Sequence, residues 1–334
     1  MNQITYKSAG VDIAAAEASK KRIKKLAQTT FSPNVLRDIG LFGGFFKCDV
    51  GAYREPLLVS SVDGVGTKLK IAFATGIHNT VGEDLVNHCV NDIMTSGAVP
   101  LFFLDYLALG KMDQKVVEQV VEGIARGCAQ AGCALVGGET AEMPGFYQEG
   151  EYDLAGTMVG VVEKEKIIDG RTIVAGDILL GLPSNGLHTN GYSLARKVLL
   201  EIQKYKLDDH IDDLGKTLGE ELLRVHRSYQ KIIMALKDKP QLKGMAHVTG
   251  GGIIGNTHRI LPTERKIRIF WDNWEVPFIF QLIQKGGSIS VEEMRRTFNM
   301  GIGYILIIAR ESVDEILECL HQMEDFVFIV GEVY

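Results

Sequence analysis

A chain of 334 residues and 36.8 kDa exceeds one ordinary hydrophobic core, so about two domains of roughly 100–200 residues are expected. With 46% hydrophobic and 23% charged residues and a mean hydropathy of +0.07, the sequence has ample apolar surface to bury, which excludes disorder and collagen-like repeats. Its 36 basic and 42 acidic side chains leave a net charge of −6 and no basic field for a phosphate backbone, so no nucleic-acid partner is expected.

No apolar stretch approaches the ~20 residues that a bilayer demands, so no membrane partner is expected. Lys7 and Asp12 stand where an apolar signal core would lie, which points to the cytoplasm. The five cysteines, Cys48, Cys89, Cys128, Cys133 and Cys319, form an odd set without a CxxC pair and read as reduced, mostly buried thiols.

Taken in chain order, Leu57 to Val62 reads as a buried strand. Leu85, Val86, Cys89, Val90, Ile93 and Met94 recur at the spacing of an amphipathic helix, and a strand follows over Leu101 to Leu107. Val116 to Cys128 marks a second helix behind an Asp113 cap, and Ala134 to Val136 leads into another strand. Leu154 to Val162 closes the first half. The charged run from Glu163 to Asp177, with Gly170 and Gly176, is the expected inter-domain joint. Strand and helix then alternate again: Ile178 to Leu182, a helix from about Tyr192, a long helix around Leu218 to Leu236, and strands at Ile267 to Phe270, Gly303 to Ile308 and Phe326 to Val330. Both halves are expected to be α/β.

The chemistry-bearing residues sit in glycine-rich segments at strand ends, where an α/β sheet places its ligand site. In Ser60 to Lys68, Gly64 and Gly66 let a phosphate approach, Thr67 and Lys68 offer donors, and Asp63 can hold Mg²⁺; a plain turn is the alternative. Neither GxxxxGK[ST] nor GxGxxG is present. Asp92, beside Asn91, falls close to the apolar stripe of its helix, where an ionised acid needs a metal, a cap or an ion pair.

In Gly137 to Gly145, Glu139 and Glu142 again follow a strand. Asp63, Asp92 and Glu139 together make an oxygen-ligand set suited to Mg²⁺. Ser184 to Tyr192, with His188 and Asn190, and His247 to Ile254, with Thr249 and Gly250, are two further turns that can grip phosphates. His188 alone reads first as a capping or hydrogen-bonding residue of the turn rather than as a catalyst. The basic run Lys20 to Lys25 reads first as a solvated helix face, and Phe298 to Gly303 with Trp271 and Trp274 as core and turn.

As a set these segments are recognisable. Gly10-Val11-Asp12-Ile13, Leu58 to Lys68, Cys89-Val90-Asn91-Asp92-Ile93, Pro100 to Tyr106, Gly137 to Gly145, Asn190 to Leu194 and Phe298 to Gly303 resemble, in order and nearly end to end, the phosphoribosylformylglycinamidine cyclo-ligase family, also called aminoimidazole ribonucleotide synthetases. The resemblance implies a homodimer with a mixed α/β, two-domain fold. The N-terminal domain (1–168) would bind ATP and dimerise, its sheets forming a barrel across the dimer, and the C-terminal α/β domain is 169–334. It implies that formylglycinamidine ribonucleotide and ATP give aminoimidazole ribonucleotide, ADP and phosphate. ATP would phosphorylate the formyl oxygen before an amidine-side nitrogen closes the ring.

Carried over by position, Asp63, Asp92 and Glu139 would hold Mg²⁺ and triphosphate. Gly64, Gly66, Thr67, Lys68, Asn91 and Thr140 would line the nucleotide. Lys24 of the basic run, Asp92 and His188 would be catalytic, and Glu142, Asn190, His247, Thr249 and Gly250 would meet the ribonucleotide. Three departures stand out. Ala14-Ala15-Ala16 replaces the family's Asp-Ala-Gly, Phe46 replaces a glycine, and Gly255-Asn256-Thr257-His258-Arg259 replaces Glu-Asn-Ile-Pro-Arg. They leave open a non-catalytic nucleotide-binding homologue; another ATP-dependent synthetase or kinase of the superfamily is the second rival.

Overall fold

The computed structural model describes residues 5–6, 10 and 13–334. Asp12 and the segment up to it otherwise lie outside the described residues, as do the side chains of Ala14 and Ala15. The chain divides into two compact units, residues 1–90 with 100–161 and residues 91–99 with 162–334.

The first unit begins with helix α1 (Ile13–Gln28) and strand β1 (Pro56–Gly64), then α2 (Leu69–Thr75) and α3 (Val81–Met94), whose residues from Asn91 onward fall to the second unit. It continues with β2 (Val99–Leu109), α4 (Gln114–Gln130), β3 (Ala134–Glu142) and β4 (Tyr152–Glu163). The four strands form one sheet in the order β1-β4-β2-β3, with β2 and β3 parallel and a register irregularity at Phe103/Leu104. Helix α3 forms where periodicity places it, and Leu85, Val86, Cys89, Val90 and Met94 are wholly buried. Helix α4 starts at Asp113, whose carboxylate accepts the Lys115 N–H at 2.9 Å and the Val116 N–H at 3.3 Å.

The second unit is built on β5 (Ile178–Pro183), which feeds α5 (Tyr192–Arg196) and a wider-wound turn over Lys197–Ile202. A two-residue hairpin of β6 (His210–Ile211) and β7 (Lys216–Thr217) leads to α6 (Leu218–Leu222) and α7 (Gln230–Leu236). Then come β8 (Leu242–His247), α8 (Gly252–His258), β9 (Ile267–Ile269), α9 (Phe278–Gly287), α10 (Val291–Thr297), β10 (Ile302–Ile308), α11 (Val313–Gln322) and β11 (Phe328–Val333). The sheet order is β8-β10-β5-β11-β9, with β5, β8, β9, β10 and β11 joined by antiparallel pairings. This half is therefore mixed α/β with an antiparallel sheet. Strand β10 is buried along its whole length, as a continuous apolar run requires. Ile305 and Ile307 pack with Leu179, Ile253, Trp274 and Val330 in its core, each buried aliphatic side chain contributing about 1.5–3 kcal/mol.

Two expectations from periodicity are corrected. Leu57 to Val62, expected as a buried strand, lies in β1 at the edge of its sheet, with Leu58 and Val62 both 69% exposed. The long helix around Leu218 to Leu236 is two short helices separated by residues 223–229. Tertiary hydrogen bonds to this segment's backbone override its apolar spacing: Asn185 Nδ2 donates to Val225 O at 2.6 Å, and Asn91 Nδ2 to Arg227 O at 2.8 Å. Arg227 is held in turn by Asp325 at 2.6 Å.

All five cysteines are free thiols. Among the described residues no helix is long and apolar enough to cross a membrane.

Candidate functional site

In the first unit, β1 ends on Asp63, whose Oδ1 accepts the Gly64 N–H at 2.7 Å and whose Oδ2 lies 2.9 Å from His88 Nε2. The imidazole, from α3, is buried, whereas the Asp63 side chain is 43% exposed. The pairing orients the carboxylate at the end of β1. Gly66, with φ 55°, and Thr67 are exposed in the turn that follows. Glu139 is exposed on β3, and Thr140 beside it is half-buried.

Lys68 differs from expectation. It is wholly buried, with Nζ 2.8 Å from the equally buried carboxylate of Asp84. A cation taken out of water needs a countercharge at hand, and Asp84 supplies it, so Lys68 secures the loop from beneath rather than offering a donor to a ligand. Glu142 is likewise engaged by the chain itself, its Oε1 accepting the Met112 N–H at 2.6 Å and tying the end of β3 to the turn before α4. Lys24 pairs with Asp38 at 2.8 Å on the surface, its side chain 46% exposed.

The second unit brings two glycine turns together. The turn after β5 is fastened by Asn299, whose Oδ1 accepts Ser184 Oγ–H at 2.9 Å and the Gly301 N–H at 2.8 Å, while its Nδ2 donates to Gly186 O at 2.9 Å. Within this turn His188 is buried with φ 62°, a conformation that few non-glycine residues adopt and that the surrounding structure must hold. The turn after β8 is fastened by Asn256, whose Nδ2 donates to the carbonyls of Thr249, Gly250 and Gly252 at 3.2, 3.3 and 2.9 Å. Gly252 is obligatory there, because at φ 65° any Cβ would stand 1.9 Å from Arg295 O. Asn190 Oδ1 lies 3.4 Å from the Cβ position of Gly250, so the two turns meet.

Next to them stands a buried imidazole cluster. Asp92, near the end of α3, has its Oδ1 2.8 Å from His247 Nδ1. His247 Nε2 is 2.9 Å from His226 Nε2, and His226 stacks on His188 with ring centroids 4.0 Å apart. Burial, reinforced by the Asp92 charge, holds the Tyr304 phenol well above its usual range, so it stays protonated and donates to Asn91 O at 3.2 Å. Asn91, expected at the nucleotide, is instead wholly buried and uses both ends of its amide on the chain, Nδ2 to Arg227 O and Oδ1 from the Tyr229 N–H at 3.0 Å.

The structure thus joins His188, Asn190, His247, Thr249, Gly250 and Asp92 within the second unit, and places Asp63, Glu139 and Thr140 in the first. Sequence reasoning missed His88 and His226. His88 stands one helical turn before Asp92 on the same helix, a signal that spacing offered. His226 lies in the irregular 223–229 segment, and no local pattern marks it.

Two departures find a physical place. The Phe46 ring packs on Phe102 at 5.3 Å between centroids, in a short bridge between Val35 and Phe46. Gly255 is exposed with nothing within 4 Å of its Cβ position, and Asn256 beside it keeps the turn fastened.

Two halves of this kind, a glycine-looped sheet domain and a second domain with paired glycine turns, define a class. Residues 49–162 match the family model of the AIR synthase related protein, N-terminal domain, and residues 174–334 that of the C-terminal domain. The fold is shared with thiamine-monophosphate kinase from Stenotrophomonas maltophilia, at a TM-score of 0.66 and 16% identity over 97% of this chain and 94% of that one. It is shared too with a hydrogenase maturation protein, HypE, solved in complex with ATP, at a TM-score of 0.62 and 18% identity over 95% and 86% of the two chains.

Within the class the sequence is more specific: it is 53% identical over 333 residues, 100% of this chain and 97% of the relative, to the phosphoribosylformylglycinamidine cyclo-ligase of Carboxydothermus hydrogenoformans. The chain belongs to the phosphoribosylformylglycinamidine cyclo-ligase family of enzymes.

Proposed function

We propose that this protein closes the imidazole ring of aminoimidazole ribonucleotide in purine biosynthesis, converting formylglycinamidine ribonucleotide and ATP to that product with ADP and phosphate, in the cytoplasm. The observation that carries the reading is the meeting of the two glycine turns at Asn190 and Gly250, in a chain about half identical to cyclo-ligases along its full length. Such turns present backbone N–H groups to an anion, and a substrate phosphate is the anion they suit. His188, Asn190, His247, Thr249 and Gly250 would meet the ribonucleotide.

ATP would lie on the loop after β1, against Gly64, Gly66, Thr67 and Thr140, with Lys24 reaching it from α1. Asp63 and Glu139 carry exposed carboxylates, and hard oxygens of this kind fit Mg²⁺; Asp92 would be the third ligand. When bound, Mg²⁺ would neutralise charge on the triphosphate. His88 holds Asp63 in one orientation for that purpose, and Lys68, paired with Asp84, stiffens the loop. Catalysis by this chain is mostly positioning and charge neutralisation, since phosphoryl transfer needs little covalent help.

The division at residues 1–168 and 169–334 would separate nucleotide binding and dimerisation from the C-terminal domain. Leu58 and Val62, both 69% exposed on one face of β1, are apolar side chains that a second copy of the chain would cover. The barrel across a homodimer would rest on that strand.

Complementation tests the reading: expression in a bacterium lacking its own cyclo-ligase should restore growth without purines. Failure of a well-expressed, folded protein to do so would count against it.

A further inference from the structure

The imidazole cluster contains a directional hydrogen-bond chain. Asp92 Oδ1 is 2.8 Å from His247 Nδ1, His247 Nε2 is 2.9 Å from His226 Nε2, and His226 Nδ1 is 3.3 Å from Thr189 Oγ1. A carboxylate only accepts, so His247 Nδ1 carries the proton between them. A neutral imidazole has one N–H, so His247 Nε2 is an acceptor and His226 Nε2 must donate to it. His226 Nδ1 is left with its lone pair, and the Thr189 hydroxyl donates to that. One fixed end, the carboxylate, determines every tautomer along the chain.

We propose that His226 is a positioning residue of the cyclo-ligase site: its Nε2–H, donated to His247 Nε2 while Nδ1 accepts from Thr189, holds the His247 ring in one orientation and thereby the Asp92 carboxylate in place. The inference rests on the reading of Asp92 as a working carboxylate.

The fastening of His226 supports it. The side chain has no exposed surface, and it sits in a segment without regular structure whose backbone is bonded by Asn185 and Asn91 at the positions on either side, Val225 and Arg227. A residue needed only to fill this space could be apolar, whereas a buried imidazole costs free energy unless both nitrogens are satisfied, as they are here.

The three rings of His188, His226 and His247 also lie close enough to suggest a metal. The 2.9 Å between His226 and His247 argues for the hydrogen bond instead, because two nitrogens each about 2.0–2.1 Å from a tetrahedral zinc stand about 3.3 Å apart. The Asn185 N–H, 3.4 Å from His188 Nε2, also directs that ring's proton to Nδ1, away from a ligand role.

Two measurements on the full chain test the proposal. Long-range ¹H–¹⁵N NMR of the histidine-labelled protein, without substrate, should show His247 as the Nδ1–H tautomer and His226 as the Nε2–H tautomer. With both substrates, His226→Phe should lose about tenfold or more in kcat at unchanged KM for ATP, the behaviour of a group acting in the chemical step. His226→Gln, whose amide can donate to His247 and accept from Thr189, should stay within about threefold of the natural protein.

An Nε2–H tautomer of His247 in the natural protein would overturn the proposal. So would wild-type kcat in His226→Phe, or equal losses in the two variants accompanied by equal falls in melting temperature. Should the natural protein make no product, the function proposed above fails, and the NMR result still decides the orientation of the chain.

Discussion

Replacing Lys68 by Met should destabilise the N-terminal unit far more than the loss of any surface ion pair. Both Lys68 and Asp84 have 0% exposed side chains, and Nζ lies 2.8 Å from the carboxylate. Removing the ammonium leaves the Asp84 charge buried without its partner, which costs about 3–5 kcal/mol against the about 5–15 kcal/mol that holds a domain together. At about 2–4 °C per kcal/mol for a unit of this size, the melting temperature should fall by about 6–20 °C. Asp84→Asn should behave similarly, and the double replacement Lys68→Met with Asp84→Leu should recover much of the loss, because it buries no charge at all. Differential scanning calorimetry of the full chain reads each variant, with ATP titration in parallel. A Lys68→Met protein that melts like the natural one but binds ATP weakly would refute the reasoning and return Lys68 to the phosphates.

Asp92→Asn should leave the protein folded, by circular dichroism and size-exclusion chromatography, and abolish Mg-ATP turnover; full activity would remove Asp92 from the site. Lys24→Ala should raise KM for ATP while shifting the melting temperature little, since an exposed pair such as Lys24–Asp38 contributes only about 0–1 kcal/mol. Unchanged kinetics would leave that lysine as a solvated surface charge. Asp105, on β2 against Gly138, has its carboxyl pushed up to about 7 by desolvation, with the nearby Glu139 charge adding to the rise. The folded state therefore holds this proton more tightly than the unfolded chain, and stability present at about pH 4 should be lost as pH rises through about 7. Thermal midpoints at pH 5 and pH 8 should differ less in Asp105→Asn than in the natural protein, and an identical pH response in the two would contradict the assignment.

What the sequence made legible follows from the range of the forces involved. Strand β10 and helix α3 could be read because burial imposes an apolar run on one and a stripe on the other. Both glycine turns could be read because their backbone conformations select residue types locally, as at Gly252. Residues 223–229 could not, because the bonds that break the helix come from Asn91 and Asn185, far away in the chain. Lys68 and Asn91 showed the right residue types at the expected positions, yet their polar groups are directed into the protein, and only the positions of Asp84, Arg227 and Tyr229 reveal it. His226 was hidden for the same reason. A lone histidine becomes informative once His247 and Asp92 are placed beside it.

The measurement that most directly tests the central claim is a coupled assay with formylglycinamidine ribonucleotide, Mg²⁺ and ATP, following ADP release and reading aminoimidazole ribonucleotide colorimetrically in the same tube. Equal formation of the two products, dependent on the ribonucleotide, is the expected result. ATP binding with neither product formed would contradict it and point to a homologue that holds nucleotide without closing the ring.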